Sequence, residues 1–124
     1  MCRHRQWIQV ALRHAHKSEV PHYKHASVLV KGGKIIAVGI NKNKCGCLGD
    51  PLYGLKGWHS ELDVLFDLDP ERVRGATLYV AGWSKGKNVV RSKPCRYCQE
   101  FIKRFDLKEV YYSVNDKNIF ERMA

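Results

Sequence analysis

Two short motifs, far apart in the chain, constrain this sequence more than any other feature. One reads His59-Ser60-Glu61 and the other Pro94-Cys95-Arg96-Tyr97-Cys98. Imidazole and thiolate are ligands that zinc, a borderline-soft ion, prefers. His59, Cys95 and Cys98 together make three ligands of a tetrahedral site and leave the fourth position open, the catalytic rather than the closed structural pattern. A chain that uses them as one set must bring two helix starts to a single point, with a strand between them in sequence.

Glu61 sharpens the reading. It follows His59 by two positions, so at a helix start its carboxylate can lie beside a water of lowered pKa held at the open position. A carboxylate there can take a proton from that water and pass it on, the work of a general base and acid. Two other readings remain open. Cys95 and Cys98 alone could be a redox pair, and Cys45 or Cys47 could complete a structural zinc ribbon. Both leave Glu61 without a task. The five cysteines, Cys2, Cys45, Cys47, Cys95 and Cys98, are an odd number with no secretory signal before them. That argues against a disulfide framework and for an intracellular, reducing setting.

The remaining pattern supplies the scaffold. Arg5 to Ser18 has apolar residues at Trp7, Ile8, Ala11, Leu12 and Ala15, an amphipathic helix ended by Pro21. Residues 26–30 and 34–40 read as strands joined through Gly32-Gly33. Asn41 to Trp58 is a glycine-rich loop, of a length that is usually functional. A short helix is expected from His59 to Leu68, stopped before Pro70, then a strand over 76–81 and a polar loop over 82–93. Pro94 opens a further helix, which fits the first turn. Residues 109–114 and 118–123 read as strands, with too little chain after Val114 for another helix and a returning strand. The fold class is therefore α/β: a three-layer α/β/α sandwich in one domain over 1–124, with a mixed sheet of about five strands, three helices and a C-terminal β-hairpin. No apolar run approaches the roughly 20 residues of a membrane span.

The H-x-E and P-C-x-x-C motifs, with a strand between them, resemble the signature of the zinc nucleobase deaminases. The likeness to the cytidine deaminase superfamily, and to its CMP/dCMP-type branch in particular, covers most of the chain. It includes the first helix, the Gly32-Gly33 hairpin, the Gly39-Ile40-Asn41 corner and the run Thr77-Leu78-Tyr79-Val80. The resemblance implies hydrolytic deamination of cytosine to uracil, one catalytic zinc held by His59, Cys95 and Cys98, and Glu61 as proton shuttle. It implies that Asn41 hydrogen-bonds the sugar or base. Ser60 stands where that family usually has alanine, beside the backbone that would meet the base. The loop over 82–93 is long and basic compared with the tRNA-acting branch, and the hairpin ending looks more like the free-cytidine group and certain toxin deaminases.

Charge bears on the substrate. The chain has 22 Lys and Arg against 12 Asp and Glu, a net +10. The bases concentrate before Trp58 and between Lys85 and Arg104. Such an excess favours polyanionic partners. The first expectation is thus a cytosine deaminase on single-stranded nucleic acid. Lys42, Lys44, Lys85, Lys87, Arg91, Lys93 and Arg96 would track phosphates, while Trp58, Trp83 and Tyr97, with Tyr53, would stack on bases beside Ser60 and Pro94. The alternative is a free-nucleotide deaminase of the dCMP type. Adenosine in tRNA, or a non-catalytic zinc module that binds nucleic acid, are further alternatives. The histidines His4, His14, His16, His22 and His25 are expected at the surface, a second zinc with Cys45 or Cys47 being the other reading.

Overall fold

The computed structural model describes residues 3–42, 58–115 and 119–123. The calls on Cys2, Lys44, Cys45, Cys47 and Tyr53, and most of the glycine-rich loop from Asn41 to Trp58, lie outside the described residues. The elements in chain order are α1 (Arg3–Ala15), β1 (Tyr23–Lys31), β2 (Lys34–Ile40), α2 (Ser60–Leu65), α3 (Pro70–Val73), β3 (Thr77–Ser84), β4 (Val89–Val90), α4 (Arg96–Ile102), β5 (Glu109–Asn115) and β6 (Ile119–Arg122).

The strands form one mixed sheet in the order β2-β1-β3-β5-β6, with β4 paired to β3. Only β3 and β5 run parallel, which requires a crossover; α4 lies in it. Gly32 and Gly33 both have positive φ, at 61° and 76°, as a two-residue hairpin turn with right-handed strand twist demands. The C-terminal hairpin forms as expected, with Tyr111 opposite Arg122 and Tyr112 opposite Glu121.

Strand alternation divides the core between two faces. Val28 and Val30 of β1, Tyr79 and Ala81 of β3 and Tyr111 of β5 pack with Ile8, Ala11 and Leu12 of α1. Leu29, Leu78, Val80, Val110 and Tyr112 point the other way, into a cluster with Leu62 and Leu65 of α2, Val73 of α3 and Cys98, Phe101 and Ile102 of α4. One helix covers one face and three cover the other. The three layers are thus as read from the sequence, with two differences.

The first difference is a fourth helix. Pro70 marks the end of one helix and also begins α3 as its first residue, with the Asp69 carboxylate accepting the Glu71 N–H at 3.0 Å. The second concerns residues 82–93. β3 runs on to Ser84 and pairs with an earlier start of β1, with Lys24 opposite Trp83 and His25 opposite Gly82. Val89 and Val90 then return along β3. Glycine and serine are weak strand formers, which hid this extension in the sequence.

The helix that carries Glu61 lies unusually close to the sheet. A Cβ on Gly39 would come 2.4 Å from the Val64 nitrogen and 2.6 Å from the Ser60 oxygen, both backbone atoms of α2. Backbone packs on backbone here, and only glycine leaves room. Gly39→Ala is expected to lower stability by about 3 kcal/mol, the upper range for overpacking, and to weaken zinc retention as α2 is displaced. Urea unfolding with zinc analysis of the same samples checks both effects.

Candidate metal centre and surrounding pocket

His59 is the N-cap of α2 and Cys95 the N-cap of α4, both in extended backbone conformation. An N-cap side chain usually accepts a hydrogen bond from its own helix. Neither does so here, and the two side chains turn toward each other. His59 Nδ1 lies 3.3 Å from Cys98 Sγ and 3.7 Å from Cys95 Sγ. All three ligand atoms fall within 4.8 Å of one another, the one group of this kind among the described residues. Tetrahedral zinc with ordinary Zn–N and Zn–S bonds sets nitrogen and sulfur about 3.5 Å apart. The two separations bracket that value, so this donor set fits one zinc ion and leaves a fourth position.

The two thiols divide one proton between them. Cys95 is pushed down to about 4, chiefly by the hydrogen bond from Cys98 and further by His59. Cys98 is pushed far up, because it keeps that proton and is buried. A cysteine pair in which one member is held toward its thiolate form is suited to take up a cation.

Glu61 sits in the first turn of α2 and is only 6% exposed. Burial raises its carboxyl pKa, opposed by hydrogen bonds from its own backbone and Ser60 and by nearby His59. The Ser60 hydroxyl donates to Glu61 Oε1 at 3.0 Å and lies 2.9 Å from the Ser27 hydroxyl of β1. Asp63, one turn on, ties α2 to what surrounds it. It accepts the Ile40 N–H and the Trp58 indole N–H, each at 3.0 Å, and pairs with Lys42 at 3.1 Å. Lys42 and Trp58 also exchange backbone hydrogen bonds at 2.8 and 3.0 Å, clamping the two ends of the intervening segment.

A pocket of about 540 Å³ opens onto this centre. Of the residues singled out from the sequence, Asn41, Lys42, Trp58, His59, Ser60, Glu61, Arg91, Lys93 and Cys95 line it. Asn41 borders it while holding the start of β1: its Oδ1 accepts the His25 N–H and its Nδ2 donates to the Tyr23 carbonyl, both at 2.8 Å. The other described residues singled out lie outside this lining. Trp83 packs on the α1 face of the sheet, where its indole donates to the Leu12 carbonyl and its ring stacks on His16. Pro94 is buried outside the pocket lining, and its carbonyl accepts from Gln99. Tyr97 is 47% exposed on α4. Lys85 and Lys87 ride the β3–β4 turn and Arg96 is exposed on α4, none of them lining the pocket.

Six lining residues were not singled out as site residues, Val20, His22, Tyr23, His25, Val80 and Ser92, and the polar ones Tyr23, His25 and Ser92 bear most on the site. The signal for two of them was strand parity. Leu29 faces α2 and α4, so Ser27, His25 and Tyr23 share its face once β1 is extended back to Tyr23. His25 Nδ1 lies 3.2 Å from the Ser92 hydroxyl, and its ring occupies the space a side chain on Gly82 would need. The other histidines form no second metal group among the described residues. His4 stacks on Tyr111 and bonds the Tyr79 hydroxyl, and His14 meets Lys17.

Cys95→Ser is expected to lose zinc and lower the thermal midpoint together, since ligand binding and folding are coupled; metal analysis and calorimetry check it. His25 supplies a pH dependence. Burial, with His59 nearby, lowers its pKa from 6.5 to about 4. The folded protein therefore resists a proton that the unfolded chain accepts below 6.5. Stability should fall as pH drops from about 6.5 to 4, by at most about 3 kcal/mol from this group. Urea titrations of wild type and His25→Gln should diverge over that window and run parallel above it.

Residues 1–114 match the family model for the cytidine and deoxycytidylate deaminase zinc-binding region. No curated protein sequence matches the chain significantly. Among solved structures, the chain is similar to dCMP deaminase from the cyanophage S-TIM5 in complex with dCMP and dUMP, at 21% identity and a TM-score of 0.59, covering 86% of this chain and 77% of that one. It is also similar to Acinetobacter baumannii RibD, at 19% identity and a TM-score of 0.55, covering 93% of this chain and 31% of that one. The chain thus spans less than a third of RibD, and at these identities the likeness carries the fold.

Proposed function

The chain belongs to the cytidine and deoxycytidylate deaminase family, and from that premise we propose that it hydrolyses the cytosine base of a free nucleotide of the dCMP or CMP type to uracil and ammonia. One observation carries the choice of substrate. His59 and Cys95 of the zinc-ligating group, Glu61 and three cationic side chains, Lys42, Arg91 and Lys93, border a single pocket of about 540 Å³. That volume is in the range of small-molecule sites, and a few cations suffice for one phosphate. Lys85, Lys87 and Trp83, on which the polynucleotide reading leaned, do not line it. The cyanophage dCMP deaminase, crystallised with dCMP and dUMP, supports the same choice by analogy of fold.

His59, Cys95 and Cys98 hold the zinc, which when bound supplies Lewis-acid activation of a water molecule. Glu61 takes a proton from the attacking water at its carboxylate and delivers it to N3 of the ring. A second proton reaches the amine at C4 as the new C4–O bond replaces the C4–N bond. A carboxyl whose pKa is raised by burial suits both halves of that exchange. Asn41 has one amide hydrogen beyond the one given to Tyr23, and it offers that hydrogen to the sugar. Arg91 lies over the Tyr112 ring at 5.3 Å, which steadies its guanidinium at the pocket.

Zinc-loaded protein should form uracil from dCMP, and Glu61→Gln should lose about three orders of magnitude in kcat while retaining zinc. A single reaction containing dCMP and a cytosine-bearing single-stranded oligonucleotide separates the substrates. Uracil in dCMP supports the proposal. Uracil confined to the oligonucleotide would replace it with the polynucleotide reading and give the +10 charge its task.

A further inference from the structure

Two serine side chains lie at the centre of the site with no exposure at all: Ser27 on β1 and Ser60 on α2. A buried hydroxyl in such a place is costly unless bonded, and alanine would fill either position without that cost. Their bonding is directional. Each hydroxyl has one proton, and that of Ser60 goes to Glu61 Oε1 at 3.0 Å. The 2.9 Å contact between the two serines is then completed by the Ser27 proton, given to Ser60 Oγ. The chain Ser27 to Ser60 to Glu61 runs from the sheet into α2, and each bond in it polarises the next.

We infer that Ser27 and Ser60 are positioning residues which fix the rotation of the Glu61 carboxyl by holding Oε1 as a hydrogen-bond acceptor. The inference rests on the deaminase reading for its consequence, though the hydrogen-bond chain exists whatever the substrate. Among the hydrogen bonds of the described residues, Ser27 reaches Glu61 through Ser60, so its influence passes through that hydroxyl. The sheet thereby sets the orientation of a side chain on a helix, and it does so at the point where Gly39 brings the two backbones together.

The test uses the zinc-loaded 124-residue chain with Ser60→Ala, Ser27→Ala and the double variant. Each should keep one zinc and a thermal midpoint within a few degrees of wild type. With dCMP, Ser60→Ala should lower kcat ten- to a hundredfold with KM changed less than twofold. Ser27→Ala should lower kcat by a smaller factor, and the double variant should match Ser60→Ala alone. Raised KM at unchanged kcat would make Ser60 a substrate contact and overturn the inference, as would unchanged kcat or a double variant whose losses multiply. A second readout needs no substrate: the side-chain carboxyl carbon resonance of isotope-labelled Glu61, at fixed pH, should move in Ser60→Ala and move less, in the same direction, in Ser27→Ala. If those shifts appear while no cytosine compound is turned over, the deaminase reading has failed and the positioning chain stands. If they are absent, the chain itself is overturned.

Discussion

The contact between α2 and Gly39 governs the rest of this molecule. A short helix of six residues has little stability of its own, yet it carries Glu61 and starts at His59. It is held because its backbone lies against that of β2, because Asp63 gathers the Ile40 amide, the Trp58 indole and the Lys42 ammonium, and because Leu62 and Leu65 are fully buried. The second helix start, at Cys95, is placed from the other side by the β3–β5 crossover. The metal-ligating group forms where these two independently anchored helix starts meet.

What could be read from the sequence divides along a physical line. His59, Glu61, Cys95 and Cys98 were legible because their chemistry is rare and their positions at helix starts follow from local signals such as Pro94. The amphipathic pattern of α1 and the glycine pair at the hairpin were legible for the same reason. The side of the sheet that Trp83 occupies was not legible because it depends on parity. Once β3 is known to continue past Ala81, position 83 shares a face with Tyr79 and must meet α1. The same extension, seen from β1, brings His25 and Tyr23 to the pocket. Neither could be placed until the pairing of His25 with Gly82 was known, and that pairing is a long-range property. The contact of Gly39 with α2 is likewise invisible in sequence, where a glycine near a strand end reads only as a weak strand former.

Charge illustrates the difference between composition and arrangement. The excess of cations is large, yet several of those described pair with carboxylates at the surface: Arg74 with Glu71, Lys103 with Glu100, Arg122 with Glu109. Such exposed pairs contribute little to stability. Three cations border the pocket, and even there Lys42 is shared with Asp63 and Arg91 with Glu121 at 3.6 Å. A net charge states how strongly the whole surface attracts anions. It does not state how many phosphates one site can hold.

The clamp between Lys42 and Trp58 has an evolutionary meaning. Its two backbone hydrogen bonds, with the Asp63 carboxylate bonded to both side chains, close the segment between them before that segment's own sequence matters. Once the ends are fixed, adding or removing residues there changes the closure entropy only logarithmically. Changes in the length and composition of that segment therefore carry little penalty for the zinc ligands or for α2. The fold separates a part that selection can vary from a part it must preserve, and the boundary between them falls at a single antiparallel bridge.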